Sequence, residues 1–208
     1  MELKVFLSKL SQFESIVNSK SGLESHLKMT PKQRRYFDVE TIVNSKDAGV
    51  LALFYPNKEN EVCFLLTLRA NYKGTHASQI SFPGGKKEKN DFSILETALR
   101  ETFEEVGVDK SKITALKPLT KTYIPPSNFW VYPFIGFANK KPKFISNYEV
   151  ETLIEVQLND LLNEANFTSK DIRLSNLKTV KVPCFVFEEH VVWGATAMIL
   201  SEIKDLLK

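Results

Sequence analysis

Three glutamates, Glu101, Glu104 and Glu105, are separated by three and four positions, the spacing that puts side chains on one face of a helix. Like charges so placed repel. Hard divalent cations, which prefer carboxylate oxygens, relieve that repulsion. Such a face can hold one or more Mg²⁺ or Mn²⁺ ions against a substrate phosphate. The ordinary use of three glutamates is a solvated acidic surface, so their surroundings decide the reading. Arg100 stands among them, a planar, permanently charged fork that can pair with Glu96 and Glu104 and hold carboxylates in fixed rotamers. Upstream, Phe82-Pro83-Gly84-Gly85 offers a backbone clear of side chains, whose carbonyls can approach a metal and whose amides can approach a phosphate.

The elements that must position these groups are legible in outline. Ser93 followed three residues later by Glu96 is a capping box, which starts a helix. Ile94, Leu95, Ala98, Leu99, Thr102 and Val106 form its apolar stripe, and Gly107 ends it. Two apolar, β-rich runs, 49–55 and 62–69, flank a polar turn at 56–60. A short strand over 79–82 is halted by Pro83-Gly84-Gly85. Further strand-like runs cover 113–116, 121–124, 130–138, 150–158 and 180–187, with one helical turn at 159–163 and a closing helix over 195–207. Residues 3–17 place Leu3, Phe6, Leu7, Leu10, Phe13 and Val17 at helical spacing, and residues 29–47 read as a connector. Several strands mixed with a few helices predict an α+β domain over 48–208, with the helix and connector of 1–47 packed on it.

Gly85, Arg100, Glu101, Glu104, Glu105, Gly107 and Val108 fall in register with the Nudix signature, and the stretch from Phe82 to Val108 resembles that of the Nudix hydrolases. Asp91 stands where the family has its first glutamate, with eight residues rather than seven before Arg100. Thr102 replaces a bulky apolar residue. Neither change removes a proposed ligand, and Asp91 can support Arg100 or cap the helix. A second block, Leu65-Leu66-Thr67-Leu68-Arg69-Ala70 followed at matching distance by Phe82-Pro83-Gly84-Gly85, resembles the coenzyme A pyrophosphatase subfamily, with Gly74 and Ser78 in place of its internal arginine and glycine. Tyr123-Ile124-Pro125-Pro126-Ser127-Asn128-Phe129 looks like the substrate-side loop of that subfamily. Val192-Trp193-Gly194-Ala195-Thr196-Ala197 looks like the opening of its C-terminal helix.

The resemblance implies a Nudix fold, a mixed β-sheet sandwiched between α-helices. It also implies a reaction needing Mg²⁺ or Mn²⁺, in which CoA or a CoA thioester is hydrolysed to 3′,5′-ADP and a 4′-phosphopantetheine species. The implied roles are catalytic for Arg100, Glu101, Glu104 and Glu105. Glu101, Glu105 and then Glu104, with Gly85, are the metal ligands, and Arg69, His76, Gly84, Tyr123 and Ser127 bind substrate. Two other functions fit the same motifs: a Nudix hydrolase of ADP-ribose, NADH or a dinucleoside polyphosphate, and a non-catalytic nucleotide-binding Nudix module. The intact Arg100-Glu101…Glu104-Glu105 set argues against the module.

Other residues have ordinary uses as good as functional ones. Arg69 ends an apolar strand and His76 lies in a loop. Each can touch a phosphate or serve structure alone. Lys73, Lys86, Lys87 and Lys89 can attract a 3′-phosphate or be solvated charge. Glu149, Glu151 and Glu155 are candidates for a further acid, and the sequence does not choose among them. Of Trp130 and Tyr132 one is expected in the core, and Trp193 likewise.

A chain of 208 residues, 43% hydrophobic, has ample core for one domain. Its net charge of +3 is too mild for nucleic acid and suits an anionic small molecule. Cys63 and Cys184 read as two buried thiols. No apolar run reaches the length of a signal core or membrane span, so a cytoplasmic protein is expected, monomer or homodimer.

Overall fold

The computed structural model describes residues 1–12, 21–31, 43–70, 79–173 and 179–208. Its centre is the strand β1 (Lys46–Pro56), which pairs parallel with β7 (Phe129–Phe137) and antiparallel with β2 (Val62–Arg69). The run from Leu51 to Tyr55 is apolar at every position because both faces of β1 are covered. Ala52 and Phe54 point into one cluster. Leu51, Leu53 and Tyr55 point into the other. β2 alternates in the same way, with Phe64 and Leu66 on the first side and Cys63 and Leu65 on the second.

The remaining strands of this eight-stranded sheet are β3 (Ile80–Ser81), β4 (Gly84–Lys86), β5 (Thr114–Pro118), β6 (Thr122–Ile124) and β8 (Val150–Gln157). The helix α3 (Ile94–Val106) covers one face through Ala98 and Val106. The helices α1 (Leu3–Gln12) and α5 (Gly194–Leu207) cover the other through Phe6, Leu10, Ala197, Leu200 and Ile203. Between α1 and β1 lies a helix α2 (Ser21–Lys28), docked on α5 by His26, whose Nε2 is 3.0 Å from Glu202 Oε2. A helical turn α4 (Leu158–Leu162) precedes a separate antiparallel sheet of β9 (Phe167–Arg173), β10 (Thr179–Phe187) and β11 (His190–Trp193). The architecture is α+β, a mixed sheet between helices, as expected.

Several expectations are corrected. Gly84-Gly85 does not merely halt a strand: with Lys86 it forms β4, an antiparallel partner of β1 in the register Val50 to Gly84 and Gly49 to Gly85. The pairing comes from a distant segment, which local preference does not report. The described part of the first helix ends at Gln12, and residues 13–20 lie outside the described residues. α2, β9 and β11 were not expected, and His190–Trp193 is a strand up to the residue that caps α5. Much of the supposed connector, 32–42, lies outside the described residues. Neither Trp130 nor Tyr132 enters the core: both are half-buried, with the Lys121 ammonium 4.6 Å and 5.7 Å from their ring centroids. Trp193 is half-buried too. Both cysteines are buried and free, and no described helix is long and apolar enough to cross a membrane.

Candidate active site

The helix α3 begins at Ser93, whose hydroxyl accepts from Glu96 N at 3.1 Å. Glu96 reaches back one residue further than the capping box predicts, accepting from Phe92 N at 2.9 Å. It therefore does not pair with Arg100, and lies instead 3.8 Å from Lys110 Nζ. Gly107 closes the helix with φ 73°, a left-handed conformation that glycine adopts without a Cβ penalty, and its amide donates to Phe103 O. Thr102 is fully buried, its hydroxyl donating to Ala98 O at 2.7 Å, while Leu95 and Leu99 are half-buried.

Arg100 is held by the loop before its own helix. Its Nε and Nη2 donate to the two oxygens of Asp91 at 2.9 and 3.0 Å, and Nη2 also reaches Lys86 O at 3.1 Å. Asp91 in turn accepts from Glu88 N and the Thr97 hydroxyl. The Arg100 hydrogen bonds hold its carboxyl well below the usual carboxylate range. With two donors so committed, Nη1 faces Glu101 Oε1 and Glu104 Oε2, both at 3.0 Å. Asp91 and Thr97 are thus the buttress of the arginine, and the hydroxyl three residues before Arg100 was the sequence signal for it.

Glu101 and Glu105 lie against β4. A Cβ on Gly85 would stand 2.5 Å from the Glu101 carboxyl carbon, so only glycine lets that carboxylate rest on the strand backbone. Glu105 accepts from Gly84 N at 3.1 Å through Oε2 and faces Arg69 Nη1 at 3.4 Å through Oε1. The other arm of Arg69, Nη2, pairs with Glu149 at 3.1 Å. A register shift between β2 and β8 at Leu68/Arg69 aims this side chain, and Arg69 N and Ala70 N are tied to Gln79 O and Glu149 O. Burial pushes the Glu105 carboxyl up to about 7 against the opposing pull of Arg69 and Gly84 N, and burial also raises Glu101. Glu104 is far more exposed than either.

Of the three outlying acids, the structure brings only Glu149 to this cluster. Glu155 accepts from the Tyr55 hydroxyl and pairs with Lys141, and Glu151 is exposed. Tyr123 and Ser127 stand apart from it. In one row across the sheet Lys86, Ala48, Val131 and Thr122 are successive partners, so the Tyr123 strand lies three inter-strand steps from β4, on the order of 14 Å. There the Tyr123 hydroxyl donates to Asn128 Oδ1 and the Ser127 hydroxyl faces Ile124 O. Lys86, Lys87 and Lys89 are exposed, while Lys73, Gly74, His76 and Ser78 lie outside the described residues.

Among the described residues no three His, Cys, Asp or Glu side chains converge as placed into a ready-made ion site. The donor chemistry still fits a hard divalent cation: two carboxylates of like charge, Glu105 buried and Glu101 half-buried, set beside a strand backbone whose Cβ-free glycine gives room.

A family model described as a NUDIX domain matches residues 45–175. The Uncharacterized Nudix hydrolase NudL of Yersinia pestis (strain Pestoides F) is 34% identical over 144 residues, 69% of this chain and 71% of its own. The protein of the same name from Yersinia pseudotuberculosis serotype O:1b (strain IP 31758) matches to the same extent. Among solved structures, a MutT/nudix family protein from Enterococcus faecalis superposes with a TM-score of 0.52 at 15% identity, covering 97% of this chain and 74% of that one. The NUDIX domain of Shewanella oneidensis NrtR, complexed with ADP ribose, gives 0.51 at 15% identity, covering 83% and 94%. At such identities these two speak for the fold alone. The domain match, the similarity to NudL and the glutamate face that Arg100 braces lead to one assignment, and this chain belongs to the Nudix hydrolases.

Proposed function

We propose that this protein hydrolyses the diphosphate of coenzyme A or a CoA thioester, releasing 3′,5′-ADP and a 4′-phosphopantetheine species. One observation carries the reading. The two sequence blocks that resemble the CoA pyrophosphatases meet at a single carboxylate: Arg69 from the first and Gly84 from the second both contact Glu105 of the helix. Glu101 and Glu105 would hold Mg²⁺ or Mn²⁺, with Glu104 and the Gly85 carbonyl as further donors. The cation supplies charge neutralisation at the diphosphate and acidifies an attacking water.

The chain's own residues do the rest. Arg100, locked by Asp91 and Lys86 O, keeps Glu101 and Glu104 aimed, so no reorganisation is needed as charge develops on phosphorus. Arg69 offers a guanidinium between Glu105 and Glu149, placed to exchange a carboxylate for a phosphate oxygen. Glu149 is the acid best placed to accept a proton beside the reacting phosphorus. The test is hydrolysis of CoA, dephospho-CoA, ADP-ribose, NADH and diadenosine polyphosphates with Mg²⁺ or Mn²⁺, with products separated by chromatography. CoA should be cleaved to 3′,5′-ADP, and faster in kcat/KM than dephospho-CoA. No cleavage of CoA beside brisk cleavage of ADP-ribose or NADH would overturn the substrate assignment. No cleavage of any would overturn the hydrolase reading.

A further inference from the structure

Glu149 reaches the site from a short turn, and the residue before it has no place in the fold. Tyr148 is 87% exposed, whereas Phe144, four residues earlier, is half-buried with its ring centroid 5.3 Å from that of Tyr55. The turn is not loose. Ile145 N and Asn147 N donate to Val106 O and Glu105 O, the free carbonyls at the end of α3. Asn147 Oδ1 accepts from Glu149 N, Val150 N returns to Asn147 O, and Glu149 O accepts from Ala70 N. Nothing in this hydrogen bonding requires a tyrosine at 148, because every bond uses backbone groups or Asn147. Consecutive Cα atoms are about 3.8 Å apart, so the ring starts one residue from the carboxylate that Arg69 grips.

A large ring standing in water on a turn whose backbone is pinned can receive a flat ligand at little cost in loop entropy, and a tyrosine has only two side-chain torsions to order. The substrate of this site carries such a group one sugar away from its diphosphate. We propose that Tyr148 is a specificity-determining residue, the platform on which the base of the nucleoside diphosphate stacks. The proposal rests on the diphosphatase reading above, though not on CoA being the substrate.

The experiment compares wild type, Tyr148→Ala and Tyr148→Phe. Substitution of so exposed a side chain leaves the fold intact. Steady-state kinetics use the best nucleoside diphosphate substrate from the screen above and a base-free analogue, the anhydride of two ribose 5-phosphates. Calorimetry measures ADP binding in parallel. Tyr148→Ala should raise KM on the base-containing substrate roughly fivefold to a hundredfold and weaken ADP by the same factor. It should leave kcat within about twofold and the base-free analogue untouched. Tyr148→Phe should behave as wild type. If no substrate is hydrolysed, the hydrolase reading has failed by itself, and ADP affinity alone decides the role of Tyr148. Wild-type KM and ADP affinity in Tyr148→Ala, equal loss on the base-free analogue, or no nucleotide binding by wild type would each overturn the proposal.

Discussion

Glu104 and Glu105 are neighbours in the chain with opposite surroundings. The Glu105 side chain is 4% exposed and wedged between Arg69 and Gly84 N, while that of Glu104 is 49% exposed and touches Arg100. Burial raises both Glu105 and Glu101, so an uncompensated carboxylate there costs stability and attracts a cation. Glu101→Gln and Glu105→Gln should each lower kcat by on the order of a hundredfold or more, because the lost group stabilises charge in the transition state. Their Tm should equal or exceed that of wild type, because a neutral amide is cheaper to bury. Glu104→Gln should lose less. Turnover at saturating Mg²⁺ together with thermal unfolding checks all three, and near-normal turnover in the first two would remove them from the site.

At the scale of the element, α3 works only with the loop that precedes it. Asp91 fastens Arg100 at both oxygens and is itself fastened by Thr97 and Glu88 N. Asp91→Asn should cost about 2–4 kcal/mol at neutral pH, by leaving a partly buried guanidinium under-paired. The pH dependence has a definite sign. The folded carboxyl is held below its ordinary value, so its contribution is present above the unfolded pKa, about 4, and is lost as pH falls toward the folded one. The difference in denaturant stability between the two proteins should therefore be steady near pH 7 and shrink progressively only as pH falls below about 4. α3 itself was legible from sequence at both ends, because its cap residues act within four positions. β4 was not. Gly84 and Gly85 have no strand preference of their own, and β1 supplies the pairing from about thirty-five residues away.

At the scale of the molecule, one sheet divides two cores, and the site lies on the α3 side, beside β4 and the adjoining ends of β2 and β8. The opposite core reaches to the beginning of the chain. Phe6 is fully buried against Phe54, with ring centroids 4.9 Å apart, and Met1 N meets Asn159 in α4. α2 adds a polar clamp, in which Glu202 of α5 takes His26 and both the amide and hydroxyl of Thr120. Phe6→Ala should cost about 3–5 kcal/mol, the usual consequence of deleting a buried ring. KM of the folded enzyme should be unchanged, because that core lies across the sheet from the glutamates. Equilibrium unfolding and kinetics on the same sample test both halves.

The sequence by itself determined the helix, its acidic face and the glycines before it, because helical periodicity and capping act over a few residues and a side chain's type states its chemistry. It also determined the strands β1 and β2, whose apolar runs need burial on both faces. Only tertiary structure decided which partners those groups have. Arg100 turned to Asp91 and not to Glu96, because the loop folds back under the helix and offers both carboxylate oxygens in one plane. Glu149 was chosen from three equivalent acids because the register shift beside Arg69 brings the start of β8 to the end of β2. Tyr123, read as part of a substrate-side loop, stands strands away from the carboxylates, since strand order, which no local pattern encodes, sets that distance.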